Sequence, residues 1–178
     1  MTNKEKYKYA YALTSMASTG LSFVEDSLNN MMRDTTDLSR LRSFYILISY
    51  NFELILKSRI VMVENFTDKH SLNDRLIKLG HGIQAIAEAL GNAGLQEVGI
   101  SKVEKSSAQY KISTTHYQEI LIEDFIKIRY DFLDDITHTV DSQEHERIKK
   151  YMDSLFLILR KVKEKNDEAK NGHGAQIE

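Results

Sequence analysis

Cysteine and proline are both missing from this chain of 178 residues, and glycine occurs only 8 times. Without cysteine there are no disulfides and no thiolate metal sites, which fits a reducing cytoplasm. Without proline there are few obligatory breaks, which favours long helices. A dominant charge is lacking too. The formal net charge of −2 supplies no global field to draw in nucleic acid, so any such binding must use a local patch. The opening stretch MTNKEKYKYAYALTSM lacks the apolar core of a signal peptide. No GxGxxG, phosphate-binding loop or HExxH arrangement occurs. What remains is an ordinary globular mixture, 42% hydrophobic and 28% charged. Its length suits one domain burying about two thirds of its unfolded surface.

The chain is organised around residues 38–66, LSRLRSFYILISYNFELILKSRIVMVENF. Apolar residues cover nearly the whole circumference: Leu41, Phe44, Tyr45, Ile48, Phe52 and Ile55 on one side, Leu47, Leu54 and Val61 on the other. A helix apolar on most sides is packed on several sides, and this one spans roughly 43 Å. It is long enough to cross a bilayer, but Glu53, Lys57 and Arg59 sit inside it, and charges at that depth are costly. It therefore reads as a buried helix of a cytoplasmic protein with no membrane association. Glu53 and Lys57 form an i,i+4 pair in the favourable order.

A first helix is expected from about Lys4 to Met32, with the stripe Ala10, Leu13, Ala17, Leu21, Val24, Leu28 and Met31. Gly20 marks a close helix contact or a break. Ser71 to Asp74 resembles a capping box and opens a third helix carrying Leu72, Leu76, Leu79, Ile83, Ile86 and Leu90. Gly80 and Gly82 flank His81 within it, at a close packing point or kink, and Gly91 suits its end. Residues 91–113 show no period and read as one long loop, with room for a short strand or helical turn. Thr115 to Gln118 is a capping box for a fourth helix with the stripe Leu121, Phe125, Ile128, Phe132 and Ile136. Asp141 caps a fifth, whose inward residues are Ile148, Met152, Leu155, Leu159 and Val162. The domain is expected to span 1–163, with 164–178 a fraying polar tail.

The densest polar cluster is Glu119, Glu123, Asp124, Arg129, Asp131, Asp134, Asp135 and His138. Asp135 and His138 share one helical face at i,i+3. The second Glu-x-x-His pair of a bundle di-metal site is missing. A carboxylate Mg²⁺ site for nucleotide hydrolysis needs acids from two helices, with Glu119 and Glu123 as one half and Glu53 as the other. A solvated acidic face is the plainer account. His81 likewise reads either as a hydrogen-bonded residue at a tight crossing or as a site residue laid bare by its glycine neighbours. No cofactor and no metal are assigned.

Three stretches together resemble HEPN-like proteins. Phe52-Glu53-Leu54-Ile55-Leu56-Lys57-Ser58-Arg59 is similar to a segment of their second helix. Lys78-Leu79-Gly80-His81-Gly82-Ile83 resembles their Gly-His-Asp-Leu turn, with Gly82 where Asp is commoner. Ile128-Arg129-Tyr130-Asp131-Phe132 resembles the Arg-Tyr segment of some branches. The resemblance covers residues 38–160. It implies a helical bundle, often a dimer, from a group with many metal-independent RNases of toxin or phage-defence systems and other members that have lost activity and partner nucleotidyltransferases. Family catalysis uses an Arg, about four to six intervening residues and then a His, the His as acid or base and the Arg on the phosphate charge. Arg129 and His138 stand further apart, with eight residues between them. Arg75 and His81 match, with five between, but lie in the third helix.

The resulting expectation is an all-α, single antiparallel bundle of about five helices with one long loop. Its expected role is a non-catalytic or degenerate HEPN-like interaction module of RNA or nucleotide biology. It is expected to form a homodimer, with Tyr7, Tyr9 and Tyr11 offering contact surface, and to have RNA, nucleotide or protein partners. The alternatives are an RNase using Arg129 with His138 or Arg75 with His81, and a metal-dependent nucleotide hydrolase. Lys102, Lys105 and Lys111 would supply a local basic rim.

Overall fold

The computed structural model describes residues 1–31, 38–103, 109–112, 120–130 and 144–172. The helices among them are α1 (Asn3–Asn29), α2 (Leu38–Val63), α3 (Lys69–Leu79), α4 (Ile83–Glu97), α5 (Ile122–Tyr130) and α6 (Glu144–Lys170). The strands are β1 (Ile100–Lys102), β2 (Tyr110–Ile112) and β3 (Ile120–Leu121). The bundle is mostly helical, but it is not purely all-α.

As its all-round hydrophobicity predicts, α2 is the central rod. It packs against α1, α4, α5 and α6. Ile48, Phe52, Ile55, Leu56, Ile60 and Val61 are fully buried. Phe52 meets Phe125 of α5 with ring centres 4.6 Å apart, and Phe125 meets Tyr151 of α6 at 5.0 Å. This aromatic run ties three helices together with geometry that adds to plain area burial. Glu53, Lys57 and Arg59 are buried as well, and each has a polar partner, as buried charges require. No helix of the described residues is long and apolar enough to cross a membrane.

The stripe expected on α1 is buried at Ala10, Ala17, Leu21, Val24, Leu28 and Met31. The helix opens on a capping box in which Thr2 and Glu5 satisfy each other's backbone N–H groups. Gly20 is a close contact: a Cβ there would lie 2.8 Å from Cγ of Asn51. Buried Lys6 donates to the carbonyls of Met62 (2.9 Å) and Glu64 (3.1 Å). A cation thus closes the C-terminal end of α2, where orphan carbonyls gather.

Several sequence expectations need correction. The predicted third helix is two helices, because Gly80 adopts φ 61° and ends α3. The cap of α3 lies one turn before the predicted box: Asp68 accepts from the Ser71 N–H at 2.8 Å, and the Ser71 hydroxyl accepts from the Asp68 N–H. Gly91 has positive φ but does not end α4, which resumes and runs to Glu97. The predicted 91–113 loop holds the rest of α4 and two strands of an antiparallel sheet ordered β1-β2-β3. Ile100 pairs with Ile112, and Ile112 with Ile120. These three isoleucines are buried in the main core, so burial of one sheet face decides the structure where the backbone pattern is too short to announce it. Leu121 stands in β3, and α5 starts only at Ile122, with the Asp124 carboxylate accepting from the Leu121 N–H at 2.8 Å. The Thr115–Gln118 box and Asp141 lie outside the described residues. Past Lys163, where a polar tail is expected, α6 continues to Lys170. Asn166 is buried, Asp167 accepts from the Tyr7 hydroxyl, and the Ala169 carbonyl accepts from Asn3.

Candidate functional site

Two elements build the most organised polar cluster. Helix α2 presents Glu53 and Lys57 one turn apart, and Lys57 Nζ lies 2.7 Å from Glu53 Oε1. The break between α3 and α4 supplies the other half. Gly80 has a positive φ that costs an L residue with a Cβ but costs glycine little. In that conformation its carbonyl accepts from Lys57 Nζ at 2.6 Å. The next residue, His81, sets Nδ1 3.0 Å from Glu53 Oε1. Gly82 then opens α4 without any side-chain cap.

The burial is one-sided. The Glu53 side chain is 1% exposed and that of His81 is 70% exposed. The Lys57 ammonium gives the carboxylate its counter-charge, so the carboxylate acts as acceptor and Nδ1 of the imidazole as donor. In the neutral imidazole, an Nδ1 that donates to Glu53 leaves the lone pair on Nε2 of a ring that is 70% exposed. The arrangement can therefore orient a nucleophile, base or ligand atom outward from a rigid base.

The remaining sequence candidates are dispersed. Arg75 forks onto Glu64, with Nε at 2.8 Å and Nη2 at 2.7 Å, and that bond raises its pKa. Glu64 still hydrogen-bonds to Ile60 in helical register. Arg75 and His81 are thus pinned to points eleven residues apart on one helix, about 16 Å along its axis. The structure does not bring them together. The side chains of Arg129 and Tyr130, and all of His138, lie outside the described residues. So do Glu119, Asp131, Asp134 and Asp135. Glu123 accepts from Gln109 at 3.4 Å, and Asp124 is engaged at the start of α5. Among the described residues no group of three or more His, Cys, Asp or Glu side chains could hold a metal ion. Lys102 of the expected basic rim stands 5.8 Å from the Tyr110 ring centre.

Two features escaped the sequence reading. Arg59 donates to Glu97 at 2.5 Å and to Asn166 at 3.5 Å, linking α2, α4 and α6. A groove of about 370 Å³ runs between α1 and α6, lined by Tyr7, Tyr11, Thr14, Ser15, Ser18, Thr19 and residues of α6. Its signal was present: hydroxyl residues recur every three or four positions along α1. Tyr7 donates to Asp167 at 2.5 Å, which pushes its pKa to about 12, and Lys170 stacks on its ring at 4.2 Å.

No protein-family model, no curated protein and no solved structure matches this chain.

Proposed function

We propose that this chain is a HEPN-like helical protein of RNA or nucleotide biology that works as a non-catalytic interaction module and pairs with a second copy of itself. The HEPN-like part rests on the meeting of two stretches that resemble the family. Glu53 and Lys57 of one contact Gly80 and His81 of the other. The geometry favours a non-catalytic role over an Arg75–His81 nuclease because each side chain is tied to its own distant carboxylate.

One observation carries the interaction reading, the outer face of α1. Residues 9–24 contain no charged residue, although this helix lies on the surface. Tyr11, Met16 and Phe23 are 58%, 54% and 59% exposed. Ala12, Met16, Thr19 and Phe23 are all exposed and follow the 4-3-4 spacing of a helix–helix seam. Aromatic residues and Met with charge depleted are the composition of an interface centre. A face without charge suits an identical face, and two-fold pairing needs such self-complementarity.

Light scattering at micromolar concentration should give the mass of a dimer. Phe23→Glu should give a folded monomer, because it buries an unpaired charge in the seam without touching the core. A monomeric mass for the native chain removes the pairing claim.

A further inference from the structure

We propose that His81 is a phosphoryl-acceptor residue, taking a phosphoryl group on Nε2 from an activated donor of the acyl-phosphate or phosphoramidate class. The inference stands independently of the HEPN-like reading. It starts from what the imidazole is not needed for. Lys57 already supplies the counter-charge of Glu53 and ties α2 to the turn through the Gly80 carbonyl. A turn lock is complete without His81. What His81 adds is an exposed ring held at a fixed angle by a carboxylate that is itself buried.

The surroundings leave that ring accessible. A Cβ at Gly80 would meet nothing within 4 Å, and one at Gly82 would meet only Ala85, at 3.6 Å and beyond. The residues on both sides of the imidazole therefore offer no side chain to obstruct a tetrahedral phosphoryl group. Nδ1 is committed as donor to Glu53, so Nε2 is the nitrogen with the free electron pair. In the reaction that pair forms the N–P bond while the bond from phosphorus to the donor's leaving atom breaks. The leaving group, a carboxylate or ammonia, departs with its electron pair. The positive charge arriving on the ring is met by the Glu53 carboxylate through Nδ1–H, which keeps its proton. Glu53 is a positioning residue in this step, and no metal or oxidant is required.

Two other histidines serve as internal standards. His70 is more exposed, at 85%, but its partner Asp74 is itself exposed and takes up Nε2 at 3.3 Å. His145 spends Nε2 on the Leu28 carbonyl at 3.0 Å. Exposure alone would thus favour His70, whereas orientation favours His81.

The experiment treats the full chain with potassium phosphoramidate, follows each histidine by peptide mass spectrometry, and assigns the ring nitrogen by phosphorus NMR. His81 should be labelled about tenfold or more faster than His70, the gain expected of an oriented, partnered nucleophile, and on Nε2. Glu53→Gln should bring the rate at His81 down to that at His70. The native ratio needs no variant, so it decides even if Glu53→Gln fails to fold. Labelling of His81 no faster than His70, labelling on Nδ1, or an unchanged rate in folded Glu53→Gln would overturn the proposal and leave His81 as part of a turn lock.

Discussion

Gly20 shows how a single missing atom sets the distance between two helices. The buried amide of Asn51 occupies the space where a Cβ would stand. Ordinarily Gly→Ala inside a helix gains about 1 kcal/mol. Here the alanine methyl would drive into the side chain of Asn51, a residue only 2% exposed. Overpacking of that kind costs about 1–3 kcal/mol, so Gly20→Ala should destabilise the protein on balance. In an Asn51→Ala background the obstruction is gone and the same substitution should become stabilising. Urea denaturation of the four proteins in this cycle tests the account, and a Gly20→Ala effect of the same sign in both backgrounds would refute it. The sequence marked Gly20 as a contact or a break. It did not show which, because the opposing residue lies 31 positions away.

Among the elements, the long ones were legible and the short ones were not. The buried stripes of α1, α2 and α6 fall where three-and-four spacing puts them, because each runs at least 26 residues and repeats its period several times. β1 and β2 have three residues each, too few to display alternation, and their isoleucines are buried through pairings that only the fold creates. The break at Gly80 was visible as glycine but not as the end of a helix, since the apolar spacing runs on through it. The site was legible in the same partial way. Glu53, Lys57 and His81 were each named, but His81 joins the pair only because the chain returns 28 residues later.

The seams between elements carry a pH dependence with a defined sign. Tyr45 of α2 donates to Glu144 at the start of α6, and burial pushes its pKa well up, with that bond adding to it. Burial raises Tyr151 of α6 to about 12, and the bond to Asp167 raises Tyr7 of α1 to about 12. Each hydroxyl holds its proton more firmly folded than unfolded. The contributions of Tyr7 and Tyr151 are complete below the ordinary value of 10.0 and are lost as pH rises through about 12, while that of Tyr45 begins to fall above 10 and is lost at higher pH still. Lys6 works the other way. Burial lowers its pKa from 10.5, so the cost of keeping it charged fades as pH climbs toward that value. On the alkaline side stability should therefore fall steeply above pH 10, as the helix seams ionise. Denaturation midpoints measured at steps across this range check it, and Tyr45→Phe should flatten the decline. A decline of equal slope in Tyr45→Phe would remove that seam from the explanation.

At the scale of the whole molecule the question is whether this bundle can cut RNA. Metal-free cleavage needs a general acid or base worth about 10²–10⁴-fold and a cation on the same phosphate. His81 is well held for proton or phosphoryl chemistry, but Arg75 is bound to Glu64, and about 16 Å of helix separates the two anchor points. The net charge of −2 supplies no long-range attraction for a polyanion. Metal-assisted cleavage needs converging carboxylates, and within the described residues Glu53, Glu123 and Asp124 are each engaged elsewhere. The purified protein should accordingly leave generic RNA intact at background rates, with or without Mg²⁺. Robust cleavage without metal, lost in His81→Ala or His138→Ala, would establish the nuclease and overturn the non-catalytic reading. Hydrolysis of a nucleoside triphosphate only with Mg²⁺, lost on replacing Glu123 or Asp134, would instead favour a hydrolase. Phe23 belongs to α1, His81 to the α3–α4 break and Glu123 to α5, so Phe23→Glu separates loss of the proposed pairing from loss of any activity His81 and Glu123 support.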